Sequence, residues 1–218
     1  MAKISSFIDK IGEGVKPNMF MVKIPFPDIS GANTGNAGVK GGEDEDVNLL
    51  CKSAALPASN LGVIEVPFRG RTVKISGDRT FDTWSATFFN DKSMKLRGMF
   101  EAWLETMNTH ETNNAPFFRP SATDGYMRDI IVQQMRKDTK SGVGNDVTVL
   151  REYELKYAFP TSISQIDLAY DSNDQIEEFT VEFQYSYWHA TSGGDAFKAT
   201  VLQWFSDLIN KSSGNLDQ

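Results

Sequence analysis

The feature that most constrains the fold is a strictly alternating run in the last quarter of the chain. Every second position is apolar or aromatic: Phe179, Val181, Phe183, Tyr185 and Tyr187. The alternate positions are polar: Glu178, Thr180, Glu182, Gln184 and Ser186. Successive side chains of a β-strand point to opposite faces. The pattern therefore predicts a strand over residues 176–188, with an aromatic face in a core and a polar face toward water.

A second strand pattern runs from Arg71 to Asp91. Here Gly77-Asp78 is predicted to end one strand before another begins. The apolar positions of both strands are expected to hold the core: Val73, Ile75, Trp84, Ala86 and Phe88.

The rest of the chain predicts a mainly β fold with flanking helices. Further strands are expected at 18–26, 47–56, 63–68, 126–136, 147–159 and 163–170. Helical spacing of apolar residues predicts helices at 3–11, 93–107 and 195–210. Asn90 and Asp91 are candidate caps for the middle helix, and Asp171–Asp174 has the composition of a tight hairpin turn.

The pattern indicates one domain over 1–218. It comprises an N-terminal arm (1–17), a β core (18–188) and a C-terminal helical extension (195–210). Residues 28–46 form a glycine-rich loop insertion that ends in Glu43-Asp44-Glu45-Asp46. We interpret that acidic end as solvated rather than as a cation site.

Composition excludes several classes of protein. A single cysteine, Cys51, excludes an intramolecular disulfide, and its apolar setting predicts a packed thiol rather than a nucleophile. No segment approaches the roughly 20 apolar residues of a membrane span. The net charge of −7 argues against tight binding of nucleic acid, because such binding gains affinity by neutralising phosphates.

No catalytic or cofactor motif is recognisable, so neither an enzyme nor a cofactor is predicted. The two histidines, His110 and His189, are far apart in the sequence, and neither a Gly-x-Ser-x-Gly nor a phosphate-binding loop occurs. The run from Asp171 to Glu182 resembles a calcium loop, but its sixth position is Ile176 rather than glycine. A hairpin explains that run better.

Several blocks, in order, resemble the tail tube proteins of contractile-tailed bacteriophages. The most specific is the run Ile75-Ser-Gly-Asp-Arg-Thr-Phe-Asp-Thr-Trp84. Similar blocks are Lys16-Pro-Asn-Met-Phe20, Cys51-Lys-Ser-Ala-Ala-Leu-Pro57, Phe159-Pro-Thr161, Leu168-Ala-Tyr-Asp-Ser-Asn173 and Tyr187-Trp188. Together they span most of the chain between residues 17 and 188. The insertion at 28–46, the C-terminal helix and the details of the N-terminal arm depart from the family pattern.

The resemblance implies a β-barrel or sandwich whose hexameric rings stack into a hollow tube. Such a tube conducts DNA without binding it specifically. The implied partners are further copies of the chain, the tail sheath protein, the baseplate and tail-terminator proteins, and a tape measure protein in the lumen. The implied location is the tail of the virion, after assembly in the host cytoplasm.

Three sets of residues are candidate contacts of such a subunit. Segment 53–74 is expected to protrude as a hairpin that touches the next ring through Val63, Ile64, Val66 and Phe68. Ile4, Phe7, Ile8 and Ile11 form a helical stripe that must dock on this domain or on a neighbouring subunit. Acidic residues of strand faces are candidates to line the lumen and repel DNA: Glu152, Glu154, Glu178 and Glu182.

Other functions stay open at this point. The tube of a related contractile injection device, such as a secretion system or a tailocin, shares the expected fold. An enzyme would need a site that the sequence does not display. A carbohydrate-binding sandwich would use exposed aromatic residues, but the regular aromatic run from Phe179 to Tyr187 is better explained as core.

Overall fold

The computed structural model describes residues 4–12, 14–28, 42–43, 45–115, 125–137, 147–173 and 175–192. The helices of these ranges are α1 (Ile4–Ile11), α2 (Glu45–Leu50) and α3 (Lys95–Met107). The strands are β1 (Phe20–Lys23), β2 (Pro25–Phe26), β3 (Gly42–Glu43), β4 (Cys51–Ala54), β5 (Asn60–Phe68), β6 (Arg71–Thr80), β7 (Trp84–Phe89), β8 (Arg128–Lys137), β9 (Val147–Ile163), β10 (Glu178–Gln184) and β11 (Tyr187–Ser192). The expected helix at 195–210 and most of the loop at 28–46 lie outside the described residues.

One large sheet organises the described chain. Its strands follow the order β1-β8-β9-β10-β7-β4, and β11 also pairs with β9. In the middle of the sheet, antiparallel β10 places Phe179 opposite Phe88 and Val181 opposite Ala86 of β7. Two smaller sheets, β2-β3 and β5-β6, stand beside it. The predicted class, mainly β with flanking helices, is confirmed.

The contacts divide the chain into two compact units. One comprises 1–21, 133–152 and 191–218, and the other comprises 22–132 and 153–190. Within the first unit, the Met135 N–H donates to the Met19 carbonyl at 2.8 Å and the Gln134 amide donates to the same oxygen, also at 2.8 Å. The second unit contains the aromatic core and the strands β5 and β6, whereas α1 belongs to the first.

The core of the second unit is an aromatic cluster between α3 and the sheet. The ring of Phe100 lies 5.1 Å from that of Phe26, 5.4 Å from Phe88 and 6.0 Å from Phe183. Trp103, fully buried on the same helix, donates its indole N–H to the Tyr126 carbonyl at 2.8 Å. The apolar face predicted for this helix is therefore the face that covers the sheet.

Helix α3 begins at Lys95 rather than near Ser93, and its N-cap position is Met94, which makes no side-chain cap hydrogen bond. The predicted cap, Asp91, lies three residues before that position but still contacts the first turn. Its carboxylate accepts from the Leu96 N–H at 3.3 Å and from the Ser93 N–H at 3.1 Å. The hydrogen bond from the Ser93 side chain is the main reason that the pKa of Asp91 is lowered. Asn90 has a different role, because its amide donates to Glu177 at 2.9 Å.

The strand predicted over 47–56 is wrong in its first half. Residues up to Leu50 form α2, and the strand begins only at Cys51. Val47 is fully buried whereas Leu49 is mostly exposed, so the two side chains do not share a face as they would in a strand. A segment of only four residues, Val47-Asn48-Leu49-Leu50, fits either period, and here the helix prevails.

The strand predicted over 163–170 is also wrong. β9 ends at Ile163, and residues 164–169 have no regular structure. A turn does form, with the Ser172 N–H 3.3 Å from the Ala169 carbonyl, but its flanks are not paired strands. The connection from β9 to β10 is therefore a long loop over 164–177. We name it the 164–177 loop.

Gly77-Asp78 does not end a strand, because β6 continues through both residues to Thr80. A register shift lies opposite, between Leu61 and Val63 of β5. A side chain at Gly77 would meet the carbonyl carbon and oxygen of Gly62 at 3.2 Å. These glycines permit a close approach of two backbones, which from sequence alone looks the same as a turn.

The predicted core residues of this block divide into two groups. Trp84, Ala86 and Phe88 are buried as expected. Val73 and Ile75 are about half exposed, so their predicted place in the core is wrong. In the later strand, the buried face of β10 continues to Tyr185, but Tyr187 belongs to β11 and is exposed.

Candidate assembly surface

The segment predicted to protrude is a long two-stranded hairpin, β5–β6, which pairs with neither the main sheet nor β2-β3. Its turn is Arg69-Gly70, and both residues have positive φ (47° and 80°). Two left-handed residues fit the right-handed twist of the flanking strands. Every residue of β5 is exposed, and in β6 only Gly77 is partly covered.

The hairpin is amphipathic although neither face is covered in the isolated subunit. Ile64 lies opposite Ile75 and Val66 lies opposite Val73, so these four side chains share one face with Phe68. We call these five residues the apolar face of the hairpin. Its members are between 42% and 61% exposed. A hairpin of two strands is marginally stable in water unless it packs against something, so this face is a candidate contact surface.

The opposite face of the hairpin carries polar residues at the positions that alternate with the apolar face. Glu65 lies opposite Lys74, with 3.5 Å between carboxylate and ammonium, and Pro67 lies opposite Thr72. Val63 points to this side, because it pairs with Ser76 and is adjacent to Ile64. The four predicted contact residues are therefore split: Ile64, Val66 and Phe68 share the apolar face, and Val63 does not.

Two tryptophans hold the base of the hairpin. The indole N–H of Trp84 donates to the Ala55 carbonyl at 2.6 Å, and that of Trp188 donates to the Ala58 carbonyl at 2.8 Å. Arg79 of β6 also donates to the Ser59 hydroxyl at 2.5 Å. The segment that enters β5 is thus tied to β7 and β11, which orients the hairpin relative to the core of its own unit.

The Trp188→Phe substitution tests this attachment. Phenylalanine keeps an aromatic side chain but leaves the Ala58 carbonyl without its donor. We therefore expect the free energy of local opening at the base of the hairpin to fall by about 0.5–1.5 kcal/mol. Amide exchange over 58–68 should accelerate while exchange in α3 stays unchanged. Trp188→Tyr is a second test of the same bond, because it also lacks the indole donor and should give the same result. Uniform acceleration throughout the chain would contradict a local role.

Helix α1 carries a second exposed apolar stripe. It spans eight residues and none of them is buried. Ile4, Phe7, Ile8 and Ile11 are all more than half exposed, and Gly12 and Gly14 follow with positive φ, which ends the helix as predicted. A short helix gains its stability from packing of its apolar face.

The predicted lumen carboxylates all lie on strands, but most are already partnered. Glu178 forms an ion pair with Lys52 at 2.6 Å, and Glu154 lies 2.7 Å from the His189 ring. Glu152 accepts a hydrogen bond from the Gln133 amide at 2.6 Å. Glu182 accepts from the Ser162 hydroxyl at 3.3 Å. The polar face of the sheet is thus mixed in charge rather than uniformly acidic.

Glu154 also contacts Lys156, which stabilises an irregularity in β9. The Lys156 ammonium donates to Asp129 at 2.8 Å, and the same carboxylate accepts from the Tyr157 N–H at 3.0 Å. Tyr157 has a positive φ of 57°, rare for a non-glycine residue. Burial lowers the pKa of Lys156, but its hydrogen bonds to Asp129 and Glu154 outweigh that effect and raise it.

Cys51 is the single cysteine of the chain, and it is partly buried. Burial raises the pKa of the Cys51 thiol to about 12, which keeps it protonated and unreactive at neutral pH and agrees with the predicted packed thiol. Within the described ranges, no group of three or more His, Cys, Asp or Glu residues could hold a metal ion. None of the described helices is long and apolar enough to cross a membrane.

Sequence reasoning missed one exposed surface, the 164–177 loop. Leu168, Tyr170 and Ile176 project from it into solvent. The loop borders a groove of about 1060 Å³, whose wall includes Phe89 of β7. No separate signal in the sequence marks this loop, because its isolated apolar residues among Ser, Gln and Asp resemble the alternating pattern of a strand.

The sequence of the chain is similar to those of known proteins. The profile of a family described as phage tail tube protein matches residues 15–191. Tail tube protein gp19 of Enterobacteria phage T4 is 30% identical over 177 residues, which cover 81% of this chain and 92% of that protein. The tail tube protein of Serratia phage KSP90 is 26% identical over 188 residues, covering 85% and 95% of the two chains.

The fold also resembles a solved structure. A chain in the cryo-EM structure of an extracellular contractile injection system, a PVC sheath-tube complex in the extended state, aligns with a TM-score of 0.52 and 13% identity. The alignment covers 88% of this chain and 99% of that one. The sequence match at 15–191 includes both the hairpin and the 164–177 loop.

Proposed function

We propose that this chain, which belongs to the phage tail tube protein family, polymerises through the apolar face of its β5–β6 hairpin. The chain is a structural subunit of the inner tail tube of a contractile phage, and its place is the tail of the virion. Its relatives are structural proteins, and we propose the same non-enzymatic role here. The observation that carries the proposal is an amphipathic hairpin of 21 residues (60–80) whose apolar face is uncovered in the single subunit.

The hairpin supports contact between rings. It is exposed on both faces and its base is held by Trp84 and Trp188, so it projects as an attached arm. A surface of this kind on a subunit that polymerises is expected to be buried in the polymer. In the proposed assembly, six subunits form a ring and the rings stack into a hollow tube.

A second contact in the proposal uses α1. Ile4, Phe7, Ile8 and Ile11 are exposed, so we place their stripe against a neighbouring subunit rather than against the chain's own domain. The remaining proposed partners are the tail sheath protein, the baseplate and tail-terminator proteins, and a tape measure protein in the lumen. Solved structures of similar fold include a sheath-tube complex and a tube-terminating cap.

The acidic residues remain candidates for the wall of the lumen, where DNA would pass without binding. Glu178 and Glu182 point away from the core, because they alternate with buried Phe179, Val181 and Phe183. Glu154 alternates with buried Leu155 in the same way, and Glu152 stands two residues earlier. Since Glu178 and Glu154 have cationic partners, the repulsion of DNA in this proposal is moderate and rests mainly on Glu182.

Electron microscopy of the purified full-length chain tests the proposal. We expect hollow tubes of stacked sixfold rings to form as the protein concentration rises, or on addition of tail baseplates as nuclei. A chain that stays monomeric in both conditions would overturn it. A tube alone does not separate a phage tail from a related injection device, but the neighbouring genes do: capsid and terminase genes indicate a phage, and a secretion ATPase gene indicates the device.

A further inference from the structure

The 164–177 loop forms a second exposed apolar surface in the same unit as the hairpin. Leu168 is 80% exposed, Ile176 is 69% exposed and Tyr170 is fully exposed. Three large apolar side chains in one loop are unusual on a soluble surface and mark a contact site. The groove beside them, about 1060 Å³, lies at the upper end of the range for small-molecule pockets. A larger occupant such as a chain segment fits it better.

The rim of this groove is acidic. Asp167 lines it and Asp171 stands next to Tyr170, and both are exposed. Among the described residues, neither carboxylate forms an ion pair with a cationic side chain. Glu177 and Glu178 are committed elsewhere, to the Asn90 amide and the Lys52 ammonium. The groove therefore offers apolar contact together with the Asp167 carboxylate in its lining, and the Asp171 carboxylate stands beside it.

The tip of the hairpin offers the opposite charge. Arg69 and Arg71 flank the turn glycine and are exposed. The Arg69 guanidinium lies 5.4 Å from the ring of Phe68, which is the outermost member of the apolar face. Arginine forms paired hydrogen bonds with carboxylates. The tip thus presents one aromatic side chain between two cations.

We propose that the groove beside the 164–177 loop of one subunit receives the hairpin tip, residues 68–71, of another copy of the chain. Charge complementarity selects this occupant: a tip with two arginines and an exposed aromatic ring meets a groove that has Asp167 and exposed apolar residues in its lining and Asp171 beside it. A contact between two different patches of the same chain is head-to-tail, which is the kind that builds open filaments. The inference rests on the proposed function and adds the acceptor for the hairpin.

A charge exchange tests the pairing. Arg69→Asp with Arg71→Asp, and separately Asp167→Arg with Asp171→Arg, should each raise the protein concentration needed for tube assembly by about tenfold or more. The four substitutions combined should restore assembly to near the wild-type concentration. Lys92→Asp, at an exposed position outside both surfaces, is the matched control and should assemble normally. Circular dichroism and gel filtration establish that each variant is folded before assembly is scored.

Each outcome decides the inference. Normal assembly of the Asp167/Asp171 variant, or failure of the combined variant to recover while it is folded, overturns the acceptor site. Either outcome would still be compatible with the hairpin proposal if substitutions on the apolar face of the hairpin block tube assembly. A photo-crosslinker at Leu168 gives an independent measurement: in wild-type tubes it should attach to residues 60–80 of another subunit. Attachment to α1 or to the sheath protein would instead overturn the inference.

Discussion

Tubes should be lost when Ile64 and Val66 are both replaced by aspartate, while the isolated subunit stays folded. Both side chains lie at the centre of the apolar face of the hairpin, each opposite an apolar residue of β6, Ile75 and Val73. Burying an apolar side chain of this size contributes about 1.5–3 kcal/mol. Burying an unpaired carboxylate in its place adds a further cost. The dissociation constant of each contact between subunits should therefore rise by more than about a hundredfold.

The control for this pair lies on the other face of the same hairpin. Thr72→Asp with Ser76→Asp introduces the same two charges on β6, but on the polar face. Electron microscopy and sedimentation should show tubes for this control and only dispersed subunits for the variant. Equal loss of tubes in both would show that added charge, rather than the apolar face, is responsible. Equal thermal midpoints for the isolated subunits are required in either case.

The sequence could predict the core strands because their patterns were long. β10 alternates over its whole length, and α3 has three turns of apolar spacing. Asp91 was recognisable as a signal for the start of this helix, because a carboxylate just before a helix can accept from its free N–H groups. Such repeated local signals determine an element without knowledge of what it packs against.

Errors arose where a local pattern has two physical explanations. Val73 and Ile75 alternate as buried strand residues do, yet their face is uncovered in the single subunit, and we propose that assembly covers it. Nothing in one sequence distinguishes a face that folding covers from a face that assembly covers. Gly77 was likewise ambiguous, because a glycine that permits close approach to Gly62 resembles a glycine that makes a turn.

The family resemblance predicted that the hairpin makes a contact, but it did not predict which of its side chains share one face. Alternation within β5 already separates Val63 from Ile64, Val66 and Phe68, but the register was needed to show which residues of β6 share their face. The 164–177 loop was missed for a related reason. Its exposed apolar residues were assigned to a strand, which would have hidden them in the sheet.

Replacing Phe100 by alanine should produce the largest loss of stability, and comparison with Phe68 shows why. Phe100 is fully buried against Phe26, Phe88, Phe179 and Phe183, with ring centroids 5.1 to 6.2 Å away. Its truncation leaves a cavity, so the free energy of unfolding should fall by about 3–5 kcal/mol. Urea titration of the isolated subunit measures this loss, which is a large part of the total stability of an ordinary domain.

Phe68→Ala is the matched substitution at an exposed ring. Phe68 is 61% exposed, so the unfolding free energy of the isolated subunit should change by no more than about 0.5 kcal/mol. Tube assembly should nevertheless weaken, because the ring stands at the tip of the apolar face. A Phe68→Ala subunit as unstable as the Phe100→Ala subunit would mean that the hairpin packs within its own chain. The expected pair of results instead separates two roles of apolar surface in this protein, since Phe100 is buried by folding and Phe68 is proposed to be buried by assembly.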